Sequence, residues 1–160
     1  MAKAFHSRLL VVFFSIFVSC SDSSDDALEL TQEINATSFK VNVPEGWTLI
    51  IDQGMDTYIG RIVNERDTIF FDYGYLSFGG LELVESNDNT ISFDRTLING
   101  IPSIIVKENT PDENSRSLRL SAYIDSGDRN NLNRLYSFDP IDEATILAIM
   151  KSHVFISTAD

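Results

Sequence analysis

From residue 36 onward, apolar and polar side chains alternate along short segments that are separated by turn-forming residues. In residues 39–43, Phe39, Val41 and Val43 would lie on one face of a strand, and the two polar residues between them on the other. Successive side chains of a strand point to opposite faces, so this alternation is typical of strands buried on one face. The chain therefore predicts a mostly antiparallel sheet with short connections.

Turn signals divide this region into hairpins. Asn99–Gly100 lies between two apolar segments, and this dipeptide favours a type I′ turn because both residues tolerate a positive φ. Residues 64–67 (NERD) predict a four-residue hairpin loop. Residues 81–86 (LELVES) predict a strand that pairs with the segment beginning at residue 90.

The periodicity changes near the C-terminus, where residues 139–152 predict a helix. Asp139 would cap it, and Pro140 suits the first helical position. Trp47 is predicted to be buried near the apolar face of this helix, which would be formed by Ile146, Ile149 and Met150. The sequence thus predicts an α+β fold: a mostly antiparallel β-sheet covered by a C-terminal helix.

The N-terminus has the pattern of an export signal. Lys3 and Arg8 precede an apolar-leaning segment at residues 9–18, and no acidic residue occurs among the first 19. Ten residues are too few to cross a bilayer as a helix, which needs about 20. A short apolar segment after a positively charged start is typical of a cleaved signal peptide. Residues 1–19 are therefore predicted to be a signal peptide.

The junction at residues 17–20 (FVSC) resembles the bacterial lipobox, in which a cysteine follows small or apolar residues. That resemblance implies that Cys20, the only cysteine of the chain, becomes the lipidated first residue of the mature protein. Two or three acyl chains anchor a protein stably, whereas one chain is marginal. A buried or stray cysteine after an ordinary signal peptide is the alternative.

The segment after Cys20 is acidic and polar. Residues 20–33 contain five acids and no base, a composition that keeps a chain extended and solvated. Residues 20–35 are therefore predicted to be a flexible tether, and residues 36–160 a single domain. The serine- and aspartate-rich start of the tether also resembles the surface-export signal of Bacteroidota-type lipoproteins. The periplasmic-facing and the surface-exposed forms of an outer-membrane lipoprotein both remain open.

Three segments resemble PsbP-like domains, a superfamily that includes bacterial envelope lipoproteins. They are residues 39–47 (FKVNVPEGW), 96–106 (TLINGIPSIIV) and 142–155 (DEATILAIMKSHVF). The chain is also similar, at residues 53–62 and 69–78, to a Bacteroidota-type lipoprotein subgroup of unknown function. The resemblance implies an α/β sandwich and an accessory or scaffolding role, and it implies no reaction.

The charge balance opposes nucleic acid binding. The chain has 24 acidic against 12 basic residues and a formal net charge of −12 at pH 7. Such a charge repels phosphate backbones and anionic lipid headgroups. The only membrane contact we expect is the lipid anchor on Cys20.

The aromatic segment at residues 70–78 (FFDYGYLSF) is the most unusual stretch. It would place Phe71, Tyr73 and Tyr75 on one face of a strand, and Phe70, Asp72, Gly74 and Leu76 on the other. One interpretation is an aromatic platform for a sugar or peptide, with candidate binding residues Asp56, Tyr58, Asp72, Tyr73 and Tyr75. The alternative is a core strand whose phenol oxygens reach the surface.

Catalytic and metal-binding motifs are not evident. His153 is the one histidine after the signal segment, and we expect it to cap the helix or to lie at the surface. A histidine-ligated zinc site normally needs more than one histidine, and the Asp125–Asn131 loop lacks the spacing of a calcium loop. No catalytic residue, metal or cofactor is predicted.

The sequence therefore favours a lipid-anchored envelope lipoprotein that acts as a non-enzymatic module. Its partner would be an unidentified envelope protein. The alternative is a small glycan-binding module or hydrolase that uses the aromatic segment and nearby carboxylates.

We expect Cys20→Ser to abolish lipidation, because no other side chain of the lipobox-like junction can form the thioether. Metabolic labelling with a fatty-acid analogue measures this, and membrane fractionation should show release or accumulation of the unprocessed form. Ser19→Ala, which keeps a small residue before the cysteine, serves as the control. Equal labelling of the Cys20→Ser variant would contradict the prediction.

Overall fold

The computed structural model describes residues 28–110, 117–128 and 131–156. The predicted signal peptide, Cys20 and the first part of the predicted tether lie outside the described residues.

Within these residues the chain forms ten β-strands and one α-helix, with a short 3-10 turn at Leu81–Leu83. The strands and the helix are β1 (Gln32–Asn35), β2 (Phe39–Val43), β3 (Thr48–Asp52), β4 (Tyr58–Val63), β5 (Thr68–Tyr73), β6 (Thr90–Ile98), β7 (Ile101–Asn109), β8 (Leu118–Asp125), β9 (Leu132–Phe138), α1 (Glu143–Lys151) and β10 (Val154–Phe155).

The strands form two antiparallel sheets. The large sheet has seven strands in the order β3-β4-β5-β9-β8-β7-β6, and the small sheet has three in the order β1-β2-β10. The side chains of the small sheet and of α1 pack against one face of the large sheet, which we call the inner face. The opposite, outer face is covered in part by residues 77–84, which pack on β7 and β8.

The predicted α+β class is wrong. The protein is β-rich, with two antiparallel sheets and a single short helix in the described part of the chain. The reason is that the nine-residue α1 is too short to cover the inner face of seven strands. The small sheet covers much of that face instead. The PsbP-like α/β sandwich implied by the resemblance is overturned together with the class.

The two sheets meet through aromatic packing at Gly60 on β4. The ring of Phe71 on β5 crosses the backbone of Gly60, where a Cβ atom would be only 2.5 Å from the ring and 2.5 Å from the carbonyl oxygen of Ile50. Phe39 of the small sheet contacts Phe71 edge-on, with ring centroids 5.1 Å apart. Glycine in a strand often marks such a close approach.

The helix begins later than predicted. Asp142, not Asp139, caps it, and the Asp142 carboxylate accepts a hydrogen bond from the backbone N–H of Thr145. Asp139 instead binds the backbone N–H of Leu118 at 2.9 Å, across the start of β8. The predicted apolar face of Ile146, Ile149 and Met150 is confirmed as fully buried. Trp47 is confirmed as buried in the same core.

Two of the three predicted connections are confirmed. Asn99 and Gly100 turn β6 into β7, and both have positive φ. Residues 64–67 connect β4 and β5. The predicted strand at residues 81–86 is wrong. Its first residues form a 3-10 turn instead of pairing in a ladder, and Leu81 and Val84 pack onto the outer face of β7 and β8.

The folded part begins before the predicted boundary at Ala36. β1 pairs with β2 along all four of its residues, and Ile34 is buried in the core. The start of β1 lies next to the start of β3, since the Gln32 amide donates to the Trp47 carbonyl oxygen at 3.2 Å. The chain therefore enters the domain at the end of the large sheet where β3 begins.

Removing residues up to 35 should destabilise the domain, whereas removing residues up to 27 should not. Burial of a side chain such as Ile34 stabilises by about 1.5–3 kcal/mol, and the shorter variant also loses the β1–β2 ladder. Denaturant unfolding of both truncations measures the difference. Equal free energies of unfolding would show that β1 contributes nothing.

Candidate functional site

Two openings lie at one end of the large sheet, on either side of residues 73–75. At this end β3 stops, β4 starts, β5 stops and β9 starts. The first opening is a shallow cleft of about 510 Å³ lined by Asp52, Gln53, Gly54, Met55, Asp56, Thr57, Tyr58, Tyr73 and Gly74. The structure thus brings together three of the five predicted binding residues: Asp56, Tyr58 and Tyr73.

The two tyrosines of this cleft belong largely to the core. Tyr58 and Tyr73 are direct cross-strand partners on β4 and β5, and both are half-buried against the inner-face cluster. The Tyr73 hydroxyl donates a hydrogen bond to the Asn131 side-chain oxygen. Partial burial raises the pKa of Tyr73, so its phenol stays protonated at neutral pH. Their rings do not form the predicted open platform.

The second opening, a cavity of about 480 Å³, contains the fourth predicted residue, Tyr75. Its lining also includes Leu76, three glycines, and the carboxylates of Glu82 and Asp125. β5 ends at Tyr73, so Tyr75 does not continue the strand as predicted. Because it lies beyond the strand, Tyr75 is 54 % exposed and Leu76 is 58 % exposed.

The fifth predicted residue, Asp72, lies elsewhere. Its strand position places it on the outer face of the large sheet, opposite Arg134 of β9. The five residues therefore do not form one site. The segment alternates as predicted up to Tyr73, and the predicted grouping of its aromatic residues fails because the strand ends there.

The outer face carries a cluster that the sequence reasoning missed. The guanidinium of Arg134 lies over the rings of Tyr136 and Tyr123, at 4.7 Å and 5.2 Å from their centroids. Tyr136 and Phe70 stack with centroids 5.4 Å apart. Arg134 and Tyr136 are two residues apart on β9, so the alternation of that strand places both on the same face. Their neighbours on β5 and β8 depend on strand order, which local patterns do not contain.

Metal and membrane-spanning features are not found in the described ranges. No group of three or more His, Cys, Asp or Glu side chains could hold a metal ion there. No helix among residues 28–110, 117–128 and 131–156 is long and apolar enough to cross a membrane.

His153 is a core residue, so the expectation of a capping or surface histidine is wrong. It is 1 % exposed, stacks on Phe39 with ring centroids 5.1 Å apart, and contacts Phe155 edge-on. Its Nε2 lies 2.9 Å from the side-chain nitrogen of Asn133, also buried. With the amide nitrogen of Asn133 as donor, Nε2 accepts this hydrogen bond. Burial lowers the pKa of His153 to about 3.

The comparisons with known proteins give one solved structure and no family. No protein-family model matches the chain, and no curated protein matches it. A crystal structure of a protein from Bacteroides thetaiotaomicron VPI-5482 is similar with a TM-score of 0.49 and 14% sequence identity. The match covers 81% of this chain and 50% of that one, so this chain spans about half the length of its structural neighbour.

Burial of His153 makes the stability of the domain depend on pH. Its pKa falls from 6.5 in the unfolded chain to about 3 in the folded one, so below pH 6.5 the unfolded state binds a proton that the folded state does not. Above pH 6.5 this proton binding does not lower the free energy of unfolding. Below pH 6.5 the free energy of unfolding falls by about 1.4 kcal/mol per pH unit as the pH drops towards about 3.

His153→Gln keeps a neutral amide beside Asn133 and removes the titration. The difference in free energy of unfolding between the two proteins should therefore shift in favour of the variant between pH 6.5 and pH 4. Urea unfolding at several pH values measures it, and acidic residues common to both proteins cancel. A difference that is constant with pH would contradict the burial argument.

Proposed function

We propose that the protein is an outer-membrane lipoprotein anchored through Cys20, whose β-rich domain binds an envelope protein and catalyses no reaction. The observation that carries the proposal is the position of exposed apolar side chains at the end of the large sheet described above. Met55 is 99 % exposed there and lines the first opening, whereas Tyr75 and Leu76 line the second. Exposed aromatic and methionine side chains are enriched at protein interfaces.

The direction of this surface supports the proposal. β1 begins beside Trp47, where β3 starts, whereas Met55, Tyr75 and Leu76 lie where β3 and β5 stop. A lipid on Cys20 would join the domain at the β1 end. The apolar end would then lie at the end of the domain opposite the tether, where a partner can contact it.

The charge around the surface indicates the chemistry of that partner. Asp52, Asp56, Glu82 and Asp125 line the two openings, and neither lining contains a lysine or an arginine within the described residues. Arg61, which contacts Asp52 at 3.4 Å, is the nearby cation. A partner with basic and apolar groups fits this surface, since complementary charge steers association.

Photocrosslinking in intact cells tests the proposal. A benzophenone amino acid at position 76 should give a discrete crosslinked product, whereas the same probe at position 141 should not. Ile141 is equally exposed, and it lies beside Asp67 at the opposite end of the sheet. Equal crosslinking from both positions, or none from position 76, would refute the proposed surface.

Glycan binding is the second candidate, and the cavity at Tyr75 favours it. An exposed tyrosine beside two carboxylates, Glu82 and Asp125, is an arrangement that can stack on a sugar ring and accept hydrogen bonds from its hydroxyls. Binding of soluble oligosaccharides, measured by calorimetry for the wild type and for Tyr75→Ala, separates this candidate from the first. A sugar bound by the wild type and lost in Tyr75→Ala would favour it.

A further inference from the structure

A cavity of about 310 Å³ lies on the outer face of the large sheet, and it shares no lining residue with the two openings described above. Residues 77–87 form one wall of this outer-face cavity, and strands β7, β8 and β9 form the other. Its apolar lining consists of Phe78, Leu83, Val84 and Val106, with the ring of Tyr123. Phe78 and Tyr123 contact each other edge-on at 5.2 Å, so this wall is anchored by an aromatic pair.

Two arginines, Arg119 and Arg134, line the cavity. Arg119 binds a carboxylate of the protein. Arg119 donates from Nε to the Glu108 carboxylate at 2.9 Å, and from Nη2 to the same oxygen. Glu108 is almost completely buried. Hydrogen bonds between a guanidinium and a carboxylate are stronger than those between neutral groups. The charge of Arg119 is therefore satisfied within the protein.

Arg134 has no equivalent carboxylate partner. Its Nε is buried and has no acceptor among the described residues, and its guanidinium forms no ion pair with any described carboxylate. The rings of Tyr123 and Tyr136 hold the group in place. Arg134 therefore brings to the cavity lining a positive charge that no described carboxylate pairs with.

We propose that the outer-face cavity binds a small molecule that carries a carboxylate. Arg134, which lines the cavity, binds the carboxylate through its guanidinium, and the apolar wall contacts the rest of the ligand. This inference goes beyond the proposed function and does not depend on it, because none of the residues at Met55 and Tyr75 takes part.

Acidic neighbours set the strength of this site. Asp72 is the direct cross-strand partner of Arg134, and its Oδ1 is also buried without a partner among the described residues. Glu85 is exposed in the lining. Both repel an incoming anion, so the affinity for a simple carboxylate is expected to be weak, with a dissociation constant of about 1 mM. Removing the charge of Asp72 should strengthen it.

Titration of the folded protein with benzoate, followed by two-dimensional amide NMR, tests the site. Benzoate should give saturable shifts at residues of β8, β9 and 77–87, and benzamide, the neutral isostere, should give none. Arg134→Gln should lose the benzoate shifts, whereas Arg66→Gln, which removes an exposed arginine outside the cavity lining, should keep them. Asp72→Asn should tighten binding roughly two- to fivefold, as expected for one partly screened charge pair.

Three results would overturn the proposal. The first is no saturable benzoate binding by the wild type. The second is equal binding of benzamide or sulfate, which would show that a planar carboxylate is not what the site recognises. The third is weaker benzoate binding in Asp72→Asn, which would show that Asp72 holds the ligand. The benzamide and Asp72→Asn comparisons remain decisive if Arg134→Gln does not fold. Since Tyr75 plays no part, failure here leaves the proposed partner surface untouched.

Discussion

The fold depends on the crossing of the Phe71 ring over the backbone of Gly60. A side chain at Gly60 would collide with the ring and with the carbonyl oxygen of Ile50, so the ring lies flat on the large sheet only because this position is glycine. Phe39 then packs edge-on against Phe71 and fixes β2 over the large sheet. Interiors are packed as densely as organic crystals. A misplaced ring at this point would therefore separate the two sheets.

The packing between the two sheets determines which side chains remain accessible for binding. The inner face is filled by the small sheet and by α1, and it holds His153 beside Asn133 away from solvent. A histidine buried in that environment is inaccessible to a substrate, and it contributes to packing. The groups left for binding lie on the outer face and at the end of the large sheet. We assign two different chemistries to them, an apolar and acidic surface around Tyr75 and a cationic pocket at Arg134.

Local sequence patterns predicted much of the fold. They failed where contacts between residues far apart in the chain determine the structure. Asn99–Gly100 forms its hairpin because the turn requires only its own two residues to adopt positive φ. The apolar periodicity at Ile146 similarly predicted the buried helix face. The strand predicted at residues 81–86 failed, since Leu81 and Val84 pack onto β7 and β8 without joining their ladder. Three of the five predicted binding residues line one cleft, and the other two lie outside it. Tyr73 does line a cleft with Asp56, while Arg134 was missed because its neighbours come from other strands.

By itself, the sequence determined most of the strand-forming segments, two of their turns and the buried face of the helix, because these follow from side-chain periodicity and backbone preference within a few residues. It also predicts the lipid attachment at Cys20, which requires only a short local motif. The tertiary structure decided that a second sheet, and not the helix alone, covers the inner face. It also decided that Asp72 and Arg134 face each other. Strand order and sheet stacking arise from contacts between residues far apart in the chain, and the alternation of one strand is compatible with many such neighbours.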